Sequence, residues 1–168
     1  MTLIRKEQPQ DLAAIYQVVE QAFGQADEAK LVDRLRANGK AVVSLVAIKD
    51  RRVVGHILFS EVTFASALCD VKAIGLAPMA VLPQLQNQGI GSQLVKAGLD
   101  ECRELGYEVV VVLGHAKYYP RFGFVPSVQY HIKSQYAVPD DHFLVMELRQ
   151  GALNKCSGIV GYQPEFNE

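Results

Sequence analysis

Ala73-Ile-Gly-Leu-Ala-Pro-Met-Ala-Val-Leu82 is followed by Pro83-Gln-Leu-Gln-Asn-Gln-Gly-Ile-Gly91, then by an amphipathic stretch, then by Val109-Val-Val-Val-Leu113. The first run predicts a strand over 73–82. Its Pro78 cannot donate to a ladder, so the strand is expected to meet an edge, a bulge or a local split of the sheet there. Residues 89–105 predict a helix, with Ile90, Leu94, Ala97, Gly98, Cys102 and Leu105 on one side and Gly106 past its end. The apolar run 109–113 reads as a strand buried on both faces. Strand, helix, strand in this order make a right-handed crossover between parallel neighbours.

Working outward, 42–48 and 53–59 read as a hairpin around the polar turn Asp50-Arg51-Arg52. Ahead of it, Leu3-Ile4 opens a strand, and Leu12, Ile15, Tyr16, Val19, Ala22 and Phe23 recur at helical spacing between Pro9 and Gly24. A shorter helix opens at Asp27 and closes at Asn38-Gly39. Beyond 113, a turn over 116–122 leads to strands near 124–128 and 143–148, and the apolar run 159–162 predicts a tail docked on the domain. The order is βααβββαβαββ. The expectation is one mixed α/β domain over 1–168, with its core over about 1–150 and the tail 151–168 packed on it.

The chain has 168 residues, 49% of them hydrophobic and 21% charged, which excludes a disordered polypeptide. Lys+Arg 17 against Asp+Glu 18 gives a net charge of −1, so bulk electrostatic capture of nucleic acid is not expected. No stretch has the ~18 uninterrupted apolar residues of a membrane span. Cys69, Cys102 and Cys156 form a sparse, odd set that matches neither a disulfide framework nor a zinc site, and no histidine has a partner at metal-ligand spacing. A reduced, cytoplasmic protein that needs no metal is expected.

Chemistry concentrates between the first strand and the helix. Gln86-Asn-Gln-Gly89-Ile-Gly91 places glycines where a backbone can approach a ligand, beside first-turn amides and a helix dipole that attract phosphate. No lysine follows Gly91, which excludes a Walker loop. Position 94 is leucine, which excludes the dinucleotide fingerprint. Two glycines easing a tight turn remain the alternative reading. Gln86, Gly89 and Gly91 resemble the Q/R-x-x-G-x-G/A acetyl-CoA loop of the GCN5-related N-acetyltransferase (GNAT) superfamily, including its small bacterial members. Leu76-Ala-Pro-Met-Ala-Val-Leu-Pro83 is similar to the strand before that loop, and Tyr118-Tyr119-Pro-Arg-Phe-Gly123-Phe124 resembles the family's aromatic-Tyr-x-x-x-Gly-Phe element. The ordered pair spans about 73–125, with weaker likeness in the flanks.

The resemblance implies a mostly antiparallel central sheet with flanking helices and one splayed parallel strand pair. Acetyl-CoA is the implied co-substrate, without a metal. Backbone groups of Met79, Ala80 and Val81 would meet the pantetheine arm, and amides of Gln86, Gln88, Gly89, Ile90, Gly91 and Ser92 the pyrophosphate. Family members often carry arginine or lysine in this loop. Here Gln86, Asn87 and Gln88 stand instead, leaving the anion to amides, the helix dipole and Lys96. Weaker binding is therefore expected.

Tyr119 matches the position whose phenol protonates the departing thiolate; packing beneath the sheet is its alternative. For the base, Glu61 at a strand end acts through water or is a plain solvated charge. His115 follows the split strand, and serves either as base or as a loop cap. His56, His131 and His142 read as structural. Arg121 reads as a surface charge or a guide for an acidic group. The implied reaction is direct acetyl transfer to a primary amine of a small molecule or peptide, in a ternary complex. A non-catalytic acyl-CoA sensor is the other reading. Segments 61–70 and 128–141 are expected to set the acceptor. The C-terminal strands leave open pairing with a second copy in a homodimer, and neither nucleic acid nor a membrane is an expected partner.

Overall fold

The computed structural model describes residues 1–66 and 68–168; within the segment 61–70, Ala67 lies outside the described residues. The strands are β1 (Leu3–Lys6), β2 (Val43–Lys49), β3 (Arg52–Phe64), β4 (Ala73–Val81), β5 (Val109–Leu113), β6 (Val125–Pro126), β7 (Ile132–Ser134), β8 (Phe143–Glu147) and β9 (Gly158–Gly161). The helices are α1 (Leu12–Phe23), α2 (Asp27–Ala37) and α3 (Ile90–Glu104). Hydrogen-bonded neighbours follow the order β1-β2-β3-β4-β5-β8-β6, and β9 pairs with both β3 and β7. The fold is the expected mixed α/β one, with a mostly antiparallel sheet, the parallel pair β4–β5 and flanking helices. A second parallel pair, β7–β9, was not foreseen.

The chain divides into two compact units. The first comprises Met1–Ser60, Ala77–Glu101 and Pro164–Glu168, the second Glu61–Leu76 and Cys102–Gln163. Both are discontinuous because β3, β4 and α3 each run from one unit into the other.

In the first unit, β1 and β2 pair antiparallel, as do β2 and β3, where Arg52 follows the turn at Asp50 and Arg51, both with positive φ. Successive residues of β3 face opposite ways. On one face, a Cβ at Gly98 would lie 2.3 Å from Phe59 and one at Gly55 would lie 3.0 Å from Leu94. Glycine at 98 thus lets α3 lie flush on the strand. On the other face, buried His56 sits with its Nε2 2.7 Å from the Ser44 hydroxyl. Ser44 donates to Glu7, which also accepts two bonds from Arg36 of α2 at 2.6 and 2.9 Å. Serine stands between histidine and glutamate, which is not the order of a hydrolytic triad. His56 is also 0% exposed, so no substrate reaches it. The group is a clasp joining β1, α2, β2 and β3.

In the second unit, β5 is paired along its whole length with β8, antiparallel, and β8 pairs onward with β6. All of Val109–Val112 is buried, as a strand with neighbours on both sides requires. The tail is a structural element: Ala152, Leu153, Cys156, Val160 and Tyr162 are buried, and β9 pairs with Thr63–Phe64 of β3 and with β7. These strands pair within the chain's own sheet. The cysteine expectation is corrected here. Cys69 and Cys156 form a disulfide across 87 residues, and Cys102, buried in α3, stands outside it. The physical reason is the β3–β9 pairing, continued by the Ala65 amide donating to Ile159. It draws two distant segments together in a way spacing cannot reveal. Among the described residues, no helix is long and apolar enough to cross a membrane.

Candidate active site

The ladder between β4 and β5 holds Ala73 against Val109 through Leu76 against Val112 and goes no further, although β4 continues to Val81. The break falls at Ala77-Pro78, the place Pro78 marked in the sequence; this peptide bond is cis. Met79, Ala80 and Val81 therefore lie on strand beyond the last β5 pairing, with Ala80 and Val81 buried and Met79 half-buried.

From there the first unit builds a loop. The Leu82 amide donates to Val54 of β3, and Pro83–Leu85 make one 3₁₀ turn. The Gln86 side chain turns back to donate to the Val81 carbonyl at 3.0 Å. Its amide thus ties the loop to the strand end, a use that the motif position alone did not predict. Asn87 (φ 63°) and Gly89 (φ 88°) both adopt the left-handed conformation. A Cβ on Gly89 would meet nothing within 4 Å, so glycine is needed for the turn and leaves open space outside it. The Gly89 carbonyl accepts from Gln93 at 3.1 Å, making Gly89 the residue from which α3 starts. Amides at the start of such a helix point outward along its axis with the dipole behind them. The first turn, with Ile90, Gly91 and Ser92, contains no acidic residue. Gln86, Gln88 and Gly89 are exposed, Gly91 and Ser92 half-buried, and the Ile90 side chain is buried.

In the second unit, Tyr119 begins the 3₁₀ turn Tyr119–Phe122 after β5. Its ring lies flat on the backbone of Gly114, where an added Cβ would be 2.3 Å from Cε2. Tyr118 and Phe124 pack edge-on against it, with centroids at 5.1 and 5.6 Å. Burial, helped by the neighbouring Tyr118, pushes the Tyr119 phenol up to about 12. This is a rigidly held proton donor that does not ionise in the neutral range. Arg121 lies over the Tyr118 ring at 4.5 Å and donates to the Tyr118 carbonyl, so it braces the turn.

The candidate bases fall in different places. His115 is exposed directly after Gly114, and its carbonyl accepts from Tyr118 and Tyr119. Glu61 does not end its strand, which runs on to Phe64. Its carboxylate accepts a 2.6 Å bond from the Tyr107 hydroxyl, and burial first, then this bond, raises the Tyr107 phenol. Tyr107 precedes β5, whereas His115 and Tyr119 follow it. The five residues of β5 make roughly 16 Å of extended chain, so the structure does not bring Glu61 to Tyr119. It does set His142, which the sequence had left as structural, beside His115. The Gly114 amide donates to the His142 carbonyl at 2.9 Å, and the His115 and His142 rings lie 6.0 Å apart. No sequence signal marks this pair, because the register of β5 on β8 creates it.

Comparison with known proteins matches residues 12–124 to the acetyltransferase (GNAT) family model. The chain is 37% identical over 166 residues, 98% of each chain, to the uncharacterized N-acetyltransferase YhbS of Escherichia coli K12. It is 38% identical over 135 residues to the uncharacterized N-acetyltransferase YjhQ of the same strain, covering 79% of this chain and 75% of that one. The crystal structure of E. coli YhbS in complex with CoA superposes with a TM-score of 0.92 at 37% identity, over 99% of this chain and 92% of that one. A GNAT acetyltransferase from Brucella melitensis in complex with acetyl-CoA gives 0.80 at 36% identity, over 99% and 98%. With the family model matched over residues 12–124 and a relative 37% identical along 98% of each chain, the chain belongs to the GNAT family of acetyltransferases.

Proposed function

We propose that this acetyltransferase moves the acetyl group of acetyl-CoA directly to a primary amine of a small molecule or peptide in a ternary complex. The observation that carries the reading is the end of the β4–β5 ladder at Leu76 while β4 runs on through Met79–Val81. Strand backbone released from one neighbour is what an extended, amide-bearing pantetheine arm needs in order to bind as a strand would. Amides of the loop from Gln86 to Ser92 take the pyrophosphate, with the dipole of α3 in place of basic side chains. Tyr119 supplies the proton for the departing thiolate. The CoA and acetyl-CoA complexes of the E. coli and Brucella relatives support the choice of co-substrate.

The test is release of free thiol from acetyl-CoA against a panel of primary amines: spermidine, an aminoglycoside, amino-acid amides and a lysine-containing peptide. The acetylated product is identified by mass. Intersecting double-reciprocal lines are expected for the amine that turns over. Parallel lines would replace direct transfer by a covalent acetyl-enzyme. Stabilisation by acetyl-CoA without turnover of any amine would favour the sensor reading.

A further inference from the structure

Tyr119, His115 and His142 are grouped around one glycine of the second unit. Tyr119 lies against the Gly114 backbone, His115 is the next residue, and His142 accepts from the Gly114 amide through its carbonyl. Asp141 then stands 2.8 Å from His142 Nδ1. A carboxylate there only accepts, so the ring proton belongs on Nδ1 and the lone pair is left on Nε2. The His142 side chain is 42% exposed and that of Asp141 65%, so a proton taken up at this pair has a path to water. His115, with its ring centroid 6.0 Å away and inclined at 60°, is close enough for one water to connect the two rings.

We propose that His142 is the proton acceptor for the incoming amine, that Asp141 is the residue positioning it, and that His115 is its partner in passing protons to solvent. This rests on the acetyl-transfer reading above. In becoming an amide, an ammonium nitrogen loses two protons. The first goes to His142 Nε2, freeing the nitrogen lone pair to attack the thioester carbon. The C–N bond forms, the C–S bond breaks, and the electron pair leaves on sulfur, which takes the Tyr119 proton. The second nitrogen proton leaves through the histidine pair. One proton restores Tyr119 and one is released to solvent, so ammonium plus acetyl-CoA gives amide, CoA thiol and one proton. The two imidazole rings, 6.0 Å apart, provide the necessary acceptors.

Two measurements decide it. Two-bond proton–nitrogen spectra of the labelled wild-type protein read the tautomer without any substrate: His142 protonated on Nδ1 supports the assignment, and His142 protonated on Nε2 overturns it. Thiol release is then compared with n-butylamine, protonated at neutral pH, and hydroxylamine, which is not. His142→Gln should lower transfer to n-butylamine about a hundredfold and leave hydroxylamine nearly unchanged, with Asp141→Asn intermediate. Equal loss with both nucleophiles, or loss with neither, contradicts it. If wild type turns over neither nucleophile, the tautomer decides. Stabilisation of His142→Gln by acetyl-CoA shows an intact fold and cofactor site, whereas a wild type not stabilised by acetyl-CoA would count against the transfer reading itself.

Discussion

Tyr119 and Glu61 show how environment sorts two candidate proton carriers. Tyr119 is held on three sides by Gly114, Tyr118 and Phe124, and phenylalanine would keep that packing while removing only the hydroxyl. Tyr119→Phe should therefore retain acetyl-CoA affinity by calorimetry and reduce thiol release at least about tenfold. Because its phenol is pushed up to about 12, Tyr119 adds no alkaline limb to the pH–rate profile below that value. Glu61, by contrast, holds the Tyr107 hydroxyl at the other end of β5. Glu61→Gln should cost about 1 kcal/mol of stability, or roughly 2–4 °C in Tm, with thiol release unchanged. A Glu61→Gln enzyme folded as wild type but inactive would return Glu61 to the reaction.

Among the elements, those with strong periodicity were legible and those made by pairing were not. The long strand and helix around the glycine loop announced themselves by Pro78, by Gly89 and by the apolar spacing of α3. β7 and β9 are three and four residues long, carry lysine, serine and glycine, and become strands by pairing with one another and with β3. The same holds for the clasp of Glu7, Arg36, Ser44 and His56, whose members come from α2, β2, β3 and the residue after β1. Burial is the largest single influence on Glu7 and raises its pKa, yet Arg36, His56 and Ser44 together outweigh it and hold the carboxyl far below its ordinary value. Burial also lowers His56.

Both groups bind protons more readily unfolded than folded. Their stabilisation is complete above the ordinary values and is lost progressively as pH falls from there toward the lowered folded-state values. Tm should decline on acidification below about 6.5, the unperturbed histidine value, and decline further below 4.5, that of glutamate. Glu7→Gln should make the lower part of the decline shallower. A Tm that rose on acidification would contradict the clasp.

On the scale of the whole molecule, one chain crosses repeatedly between two compact units through β3, β4 and α3. The sheet class and the crossover were readable because both follow from local patterns. The Cys69–Cys156 bond was not, since it joins segments that only the fold makes neighbours. Alkylation of the unfolded, unreduced protein should label Cys102 alone, and reduction should expose all three thiols to mass analysis; three labels before reduction would remove the disulfide.

The central claim is that the loop opening α3 and the strand before it hold acetyl-CoA. Thermal unfolding with acetyl-CoA, CoA, NADH and ATP tests it most directly. At ~100 times its Kd a ligand adds about 2.7 kcal/mol, roughly 5–10 °C for a chain of this size. Stabilisation by the two CoA species alone, lost in a folded Gly89→Val variant, is the predicted result. No shift with either CoA species up to millimolar concentration would reduce the glycine loop to a structural turn and contradict the account.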